Sequence, residues 1–347
     1  ELEATLDGCV AHRVSVVDDA SGAREVLWLV EGDPELSDRF GSDGFEPLRG
    51  PGFRLPLGYE GVAVQRVVHG TETAVSSAFK EVQRHVVRGL TELGIRAMPL
   101  AARAKASPAG WLTVLLGAHL LPDGEPWPEP GSIVYNFEQH STWLFDRTVE
   151  VVKKGGYRVW DYNEDNVVEW YRRGIEALYV PPGRARSLLP EWAPAEPTGE
   201  IDVLFFGSPC PRRARLQYAI EQRGLRVVSR HGVYGAGRDA LVPQARVLLT
   251  SHYYAPPGLF DATRVLHGMA LGACVVAEWG PGSDRFAAGC SVARYEEIAD
   301  RCVELCADKA LRARVAERGA ALVRSPALSQ AASMRRAIGL LRPVVAA

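Results

Sequence analysis

The sequence predicts an α/β chain of two parallel-sheet halves facing a cleft, with an appended N-terminal β element. Three observations predict it. The chain has 347 residues, 47% hydrophobic and 24% charged, which suits a globular protein long enough for two ordinary α/β domains. From Gly61 onward, short apolar runs alternate with segments of helical spacing, and this rhythm is interrupted once, by a proline- and charge-rich stretch over 184–199. Arg246 to Glu278 reads as strand, loop, helix and strand, so that a polar and aromatic loop stands at the carboxyl end of a buried strand, where open parallel sheets bind ligands.

The elements follow in order. His12–Val17 and Glu25–Val30 flank Asp18-Asp19-Ala20-Ser21-Gly22, a hairpin signal within an N-terminal extension over 1–60. The extension is expected to pack on the first domain or to serve homodimerisation. Residues 61–183 form the first α/β domain. Gly61–Val68 is a strand, Thr73–Leu93 a helix closed by Gly94, and Ile95–Leu100 a second strand. Trp111–Leu121 is apolar enough for a buried strand with its flanks, with a helix as the alternative. Ile133–Glu138 is a strand ending in Asn136, Glu138, Gln139 and His140; Tyr157–Trp160 is another, ending in Asp161-Tyr162-Asn163-Glu164. Helices close at Gly155 and Gly174. After the linker over 184–199, residues 200–328 form the second domain: strand Ile201–Phe206, Gly207, helix Arg212–Arg223, strand Leu225–Val228 and a short helix near Asp239–Ala245. From Phe260, the residues Val265, Leu266, Met269 and Ala270 share one helical stripe, with Asp261 as N-cap or first-turn acid and Gly272 at the C′ position. The last segment, 329–347, carries a helix with room to pack back toward the first domain.

Composition excludes several classes. A net charge of −2 gives no basic field for nucleic acid. No apolar run approaches a membrane span, and Glu1-Leu2-Glu3-Ala4 is not a signal peptide, so a cytoplasmic location is expected. Six cysteines are scattered without metal-ligand spacing; Cys302 and Cys306 share a helical face and Cys274 falls in a strand, which favours free buried thiols over a zinc site. Gly232-Val233-Tyr234-Gly235-Ala236-Gly237 has glycines at the wrong spacing for a dinucleotide fingerprint, and no Gly-x-Ser-x-Gly elbow is present.

Tyr179-Val180-Pro181-Pro182-Gly183, Asp202-Val203-Leu204-Phe205-Phe206-Gly207 and Met269-Ala270-Leu271-Gly272-Ala273-Cys274-Val275-Val276-Ala277-Glu278 resemble, in order and separation, the markers of GT-B glycosyltransferases. Within that fold the stretch 131–323 is similar to the bacterial CgeB-like group. The resemblance implies two Rossmann-like domains, an acceptor in the N-terminal half, a nucleotide-sugar donor in the C-terminal half, and no metal or other cofactor. It also breaks at one place. Where many retaining GT-B enzymes carry two glutamates on the donor helix, this chain has Leu259 and His267. A GT-B-like protein that binds a nucleotide sugar or glycan without turnover is therefore the alternative.

A diphosphate calls for backbone N–H groups at a helix N-terminus with a cation nearby. Gly207 with Arg212 and Arg213, and the helix after Asp261 with Arg264, both offer this, although Arg212 and Arg213 read equally well as helix-surface charges and Asp261 as a plain cap. His252, Tyr253 and Tyr254 are expected to shape the sugar side, with Glu278 at the end of the following strand. His231 and Tyr234 lie in a loop that suits the nucleotide base or a simple turn. His267 suits a ribose or phosphate oxygen, or a structural role. In the first half Glu138 is the candidate general base, beside His140, with Asp161 the second choice. Glu138 reads also as a cap of the following helix.

Overall fold

The computed structural model describes residues 11–17, 24–30, 55, 58–67, 74–100, 107–122, 129–185, 198–254 and 258–341. Ala11–Val17 (β1) and Arg24–Val30 (β2) pair antiparallel, with Ala11 opposite Val30. The rest of the extension lies outside the described residues apart from 55 and 58–60, and so does most of the expected linker.

The first half is a six-stranded parallel sheet in the order β4-β3-β5-β6-β7-β8. Its strands are Gly61–Arg66 (β3), Ala97–Leu100 (β4), Trp111–Leu116 (β5), Ile133–Asn136 (β6), Arg158–Asp161 (β7) and Ala177–Tyr179 (β8). Its helices are Ala74–Glu92 (α1), Trp143–Gly155 (α2) and Glu164–Arg172 (α3). The inner strands read as near-continuous apolar runs because helices cover both faces of a parallel sheet. Asn163 caps α3, accepting from the Asp165 amide at 2.8 Å. Trp111–Leu121 is not one strand. The chain turns at Gly117, φ +73°, where a Cβ would stand 3.1 Å from the Phe79 ring. A 3₁₀ turn, Ala118–Leu120, follows and carries His119 to the end of the sheet.

The second half has the order β10-β9-β11-β12-β13, again all parallel. The strands are Ile201–Phe206 (β9), Val227–Arg230 (β10), Ala245–Thr250 (β11), Val275–Glu278 (β12) and Ser291–Ala293 (β13). Pro211–Glu221 (α4), the single turn Ala236–Asp239 (α5), Ala262–Ala270 (α6), Ile298–Ala307 (α7) and Lys309–Arg324 (α8) complete it, and Gln330–Gly339 (α9) follows. The helix expected near Asp239–Ala245 is split into α5 and a 3₁₀ turn, Val242–Gln244; Pro243 has no N–H to donate to Asp239 O, so α5 does not continue through it. Cys274, Cys290, Cys302 and Cys306 are free and buried, and burial raises their thiol pKa values.

The chain crosses between halves twice, and the crossings pair. Arg184 bridges Ser329, the Gln330 amide donates to Arg184 O at 3.0 Å, and Gly183 N donates to Gln330 Oε1 at 2.8 Å. Helix α9 then packs on α1. A Cβ at Gly89 would meet Gln330 Cγ at 2.9 Å, so glycine lets the two helices approach. Met334, Ala337, Ile338 and Leu341 are members of the first half's core, as is Leu259 from the second half.

Candidate functional site

In the second half the strand order reverses between β9 and β11, so the loops after these strands diverge and leave a crevice at their carboxyl ends. Arg213, on the first turn of α4, lies in that crevice and is 4% exposed. Its Nε and Nη2 donate to Ser251 O at 3.1 and 2.6 Å, and Nη1 donates to Ser208 O at 2.9 Å. Gly207 makes this possible, because a Cβ there would stand 2.9 Å from Nη1. All three contacts are with neutral carbonyls. Among the described residues no carboxylate pairs with this guanidinium, and burial lowers its pKa to about 10. Ser251 Oγ, just after β11, and His252 Nε2, against Gly280, are buried without a hydrogen-bond partner among the described residues. A buried cation bonded only to carbonyls, close to an unpartnered hydroxyl, is the arrangement expected where a polar ligand completes the site.

The neighbouring charges are already neutralised. Arg212 forms a two-pronged ion pair with Glu278, Nη1 to Oε2 at 2.6 Å, and stacks 3.9 Å above the Tyr295 ring. Glu278, 4% exposed, also accepts from the His252 amide at 2.9 Å. The His252 ring is wedged between Gly258 and Gly280, each of which would strike it with a Cβ, and burial lowers its pKa. Glu278 and Arg212 therefore brace the crevice, and Tyr253 and Tyr254 beside it are partly exposed, ring centres 5.0 Å apart.

Helix α6 behaves differently from expectation. Asp261 caps it, accepting from Arg264 N at 3.3 Å and Thr263 Oγ1 at 3.2 Å, and Arg264 Nη1 pairs with Asp261 Oδ2 at 2.6 Å. The tip thus carries its own carboxylate, and Arg264 is matched to it. Helix α4 has proline at its first position, no acid in its first turn and no side-chain cap. The tip open to an anion is that of α4. His267 Nε2 sits 2.8 Å from Asp239 Oδ1, a tie between α6 and α5. His231 is exposed, and Tyr234 lies in a loop fastened to the first half by Glu81, which accepts from Gly235 N at 2.6 Å and Arg238 Nη1 at 2.7 Å.

Across the cleft, Glu138 follows β6. Its side chain is 19% exposed and lies 3.5 Å from His119 Nδ1. Burial raises the carboxyl from 4.5 to about 7 and lowers His119 to about 4, so His119 stands neutral beside it near neutral pH. Glu138 reaches the second half electrostatically: burial first, and then the Glu138 charge, raises the pKa of the Tyr254 hydroxyl. Gln139 Oε1 accepts from Leu259 N at 3.2 Å, which fixes the loop against that half. Asp161, the second candidate base, is closed off from solvent, and burial raises its carboxyl to about 7. Its two oxygens accept from Asn136 Nδ2, Asn163 N, Asn166 Nδ2 and Trp170 Nε1, at 2.7, 2.9, 3.0 and 2.8 Å. His140 N and Nδ1 both donate to Asn166 Oδ1, at 3.0 and 3.1 Å, which leaves Nε2 as the acceptor nitrogen of the ring. Sequence reasoning missed His119, Ser251 and Asn166, and took Asn136 and Asn163 only as polar residues at strand ends; the recurrence of asparagine at two adjacent strand ends was the available signal.

No protein-family model matches the sequence, and a search of curated proteins finds no match. Solved structures do match. WaaG, a glycosyltransferase involved in lipopolysaccharide biosynthesis, superposes with a TM-score of 0.52 at 11% identity, over 80% of this chain and 99% of that one. Anabaena Alr3699/HepE, solved with UDP and glucose, gives 0.52 at 10% identity over 82% and 100%. The DNA-modifying enzyme β-glucosyltransferase gives 0.51 at 13% identity over 80% and 99%. The chain has the GT-B fold of these glycosyltransferases; the CgeB-like subgroup draws no support from these matches.

Proposed function

We propose that the protein is a glycosyltransferase that moves a sugar from a nucleotide-sugar donor to an acceptor hydroxyl without a metal ion. The observation that carries this reading is Arg213, a buried cation whose hydrogen bonds among the described residues go only to carbonyls, close to the unpartnered Ser251 Oγ at the switch point of the second sheet. The donor diphosphate would lie at the α4 tip, where backbone amides and Arg213 stabilise the charge that develops on the leaving group. Tyr253 and Tyr254 flank the sugar. Glu138, on the opposite wall, takes the acceptor proton, the role an inverting displacement requires. A carboxyl held near 7 suits that role, being ionised enough to accept a proton at neutral pH and basic enough to hold it. A cytoplasmic location belongs to the same proposal. The glutamate pair replaced by Leu259 and His267 supports the second reading, a GT-B-like protein that binds a nucleotide sugar without turnover.

The test is a thermal-shift screen with UDP, GDP, dTDP and ADP, followed by nucleoside diphosphate release from the matching nucleotide sugar. One nucleotide should raise the unfolding midpoint, since a ligand at a hundred times its Kd adds about 2.7 kcal/mol of stability. Release should rise with pH through about 7 as Glu138 loses its proton, and Glu138→Gln should abolish it while keeping the thermal shift. No shift with any nucleotide defeats the proposal; a shift without release selects the binding module.

A further inference from the structure

Three polar arms leave Asp161 and reach both sides of the cleft. The first runs through Asn136, whose Nδ2 donates to Asp161 Oδ2 at 2.7 Å and to Glu138 O at 2.9 Å, while its Oδ1 accepts from Glu138 N at 3.1 Å. The second runs through Asn166, which is fully buried. Its Nδ2 donates to Asp161 Oδ1 at 3.0 Å and to Glu138 O at 2.8 Å, and its Oδ1 accepts from His140 N at 3.0 Å. Glu138 is thereby held by its own amide and carbonyl from two directions. The third arm crosses between halves. Asn163 donates its amide to Asp161 Oδ1 at 2.9 Å, caps α3 with Oδ1, and extends Nδ2 to Pro281 O at 3.0 Å. Gly282 admits it: a Cβ there would stand 2.8 Å from Asn163 Nδ2, and φ is +92°.

A carboxylate suits the centre of this network because all four of its contacts are donors; an amide in its place would set N–H against N–H. We propose that Asp161 is a positioning residue that fixes Glu138 and, through Asn163, joins the Glu138 loop to the Pro281–Gly282 segment, so that the two walls of the cleft are held by one buried carboxyl group. This rests on the reading of Glu138 as the base. In that reaction Asp161 touches no reacting atom. It sets where the base stands when the halves are together, because the groups that hold the base and the group that grips the opposite wall are oriented by the same carboxylate.

Amide hydrogen exchange on the full chain tests the coupling without any substrate. Asp161→Asn should speed exchange about ten-fold in peptides spanning 136–142 and 279–286, the loss expected when a buried network is left partly unsatisfied. Asn166→Ala should loosen the first of these peptides. Asn163→Ser, which keeps a capping side chain for α3 but cannot reach Pro281, should loosen the second. Faster exchange confined to β7 and α3, with both peptides unchanged, would show that Asp161 only binds those two elements together. If Asp161→Asn fails to fold, the two asparagine variants decide the matter by the same peptides. Since the thermal shift with UDP, GDP, dTDP or ADP reports the donor half separately, failure of the coupling is distinguishable from failure of the proposed function.

Discussion

Helices α4 and α6 open from neighbouring strands of one sheet, and their N-terminal turns have opposite electrostatic fates. At α6 the cap Asp261 and the cation Arg264 cancel each other at 2.6 Å. At α4 no side chain caps the turn, and Arg213 lies buried beneath it without a counter-ion among the described residues. A helix N-terminus attracts anions only while its partial charge is unmatched, so two similar pieces of secondary structure differ in what they can hold. The difference comes from a few side chains, not from the backbone.

Substitutions sharpen or break this contrast. The largest effect is expected from Arg212→Ala, which leaves Glu278 buried without its partner; urea unfolding should show a loss of about 3–5 kcal/mol. A loss below about 1 kcal/mol would mean that the pair does not brace the crevice. Arg213→Met should weaken binding of the nucleoside diphosphate that the thermal screen selects by about a hundred-fold, or about 2.7 kcal/mol, as read by calorimetric titration. Unchanged affinity there would return the anion site to α6. Asp261→Ala should cost about 1 kcal/mol of stability as the α6 cap is lost. It should leave nucleotide affinity unchanged or slightly higher, because Arg264 loses the partner that neutralises it. Arg264→Ala comes last: it is 40% exposed and already paired, so affinity should move by less than about three-fold.

How much of this was written in the sequence depends on the scale. The α/β alternation, the two parallel sheets and the strand-end positions of Glu138 and His252 follow from periodicity, since apolar runs and glycine stops report burial and chain reversal directly. Pairing is a different matter. Arg212 and Arg213 are adjacent and chemically identical, yet one meets Glu278 and the other passes beneath Gly207 to Ser251. Their fates are set by a helix rotation of about 100° per residue and by which loop lies on each side, which no local pattern records. Asp161 misled for a related reason. A carboxyl at the end of a strand looks available until the four donors around it, contributed by β6, the turn after β7 and α3, are assembled in space. Asp261 and Arg264 could have been matched from their spacing alone, because residues three apart on a helix are neighbours.

The paired crossings at Arg184 and Ser329 make the two halves poor candidates for dissection. A fragment ending at residue 328 would retain every strand of both sheets, yet it would lack Met334, Ala337, Ile338 and Leu341, which complete the interior of the first half. Removing such side chains leaves a void whose cost grows with its volume. Proteolysis that clips the chain ahead of α9 should therefore register as collapse of the amino-terminal lobe, far in sequence from the cut.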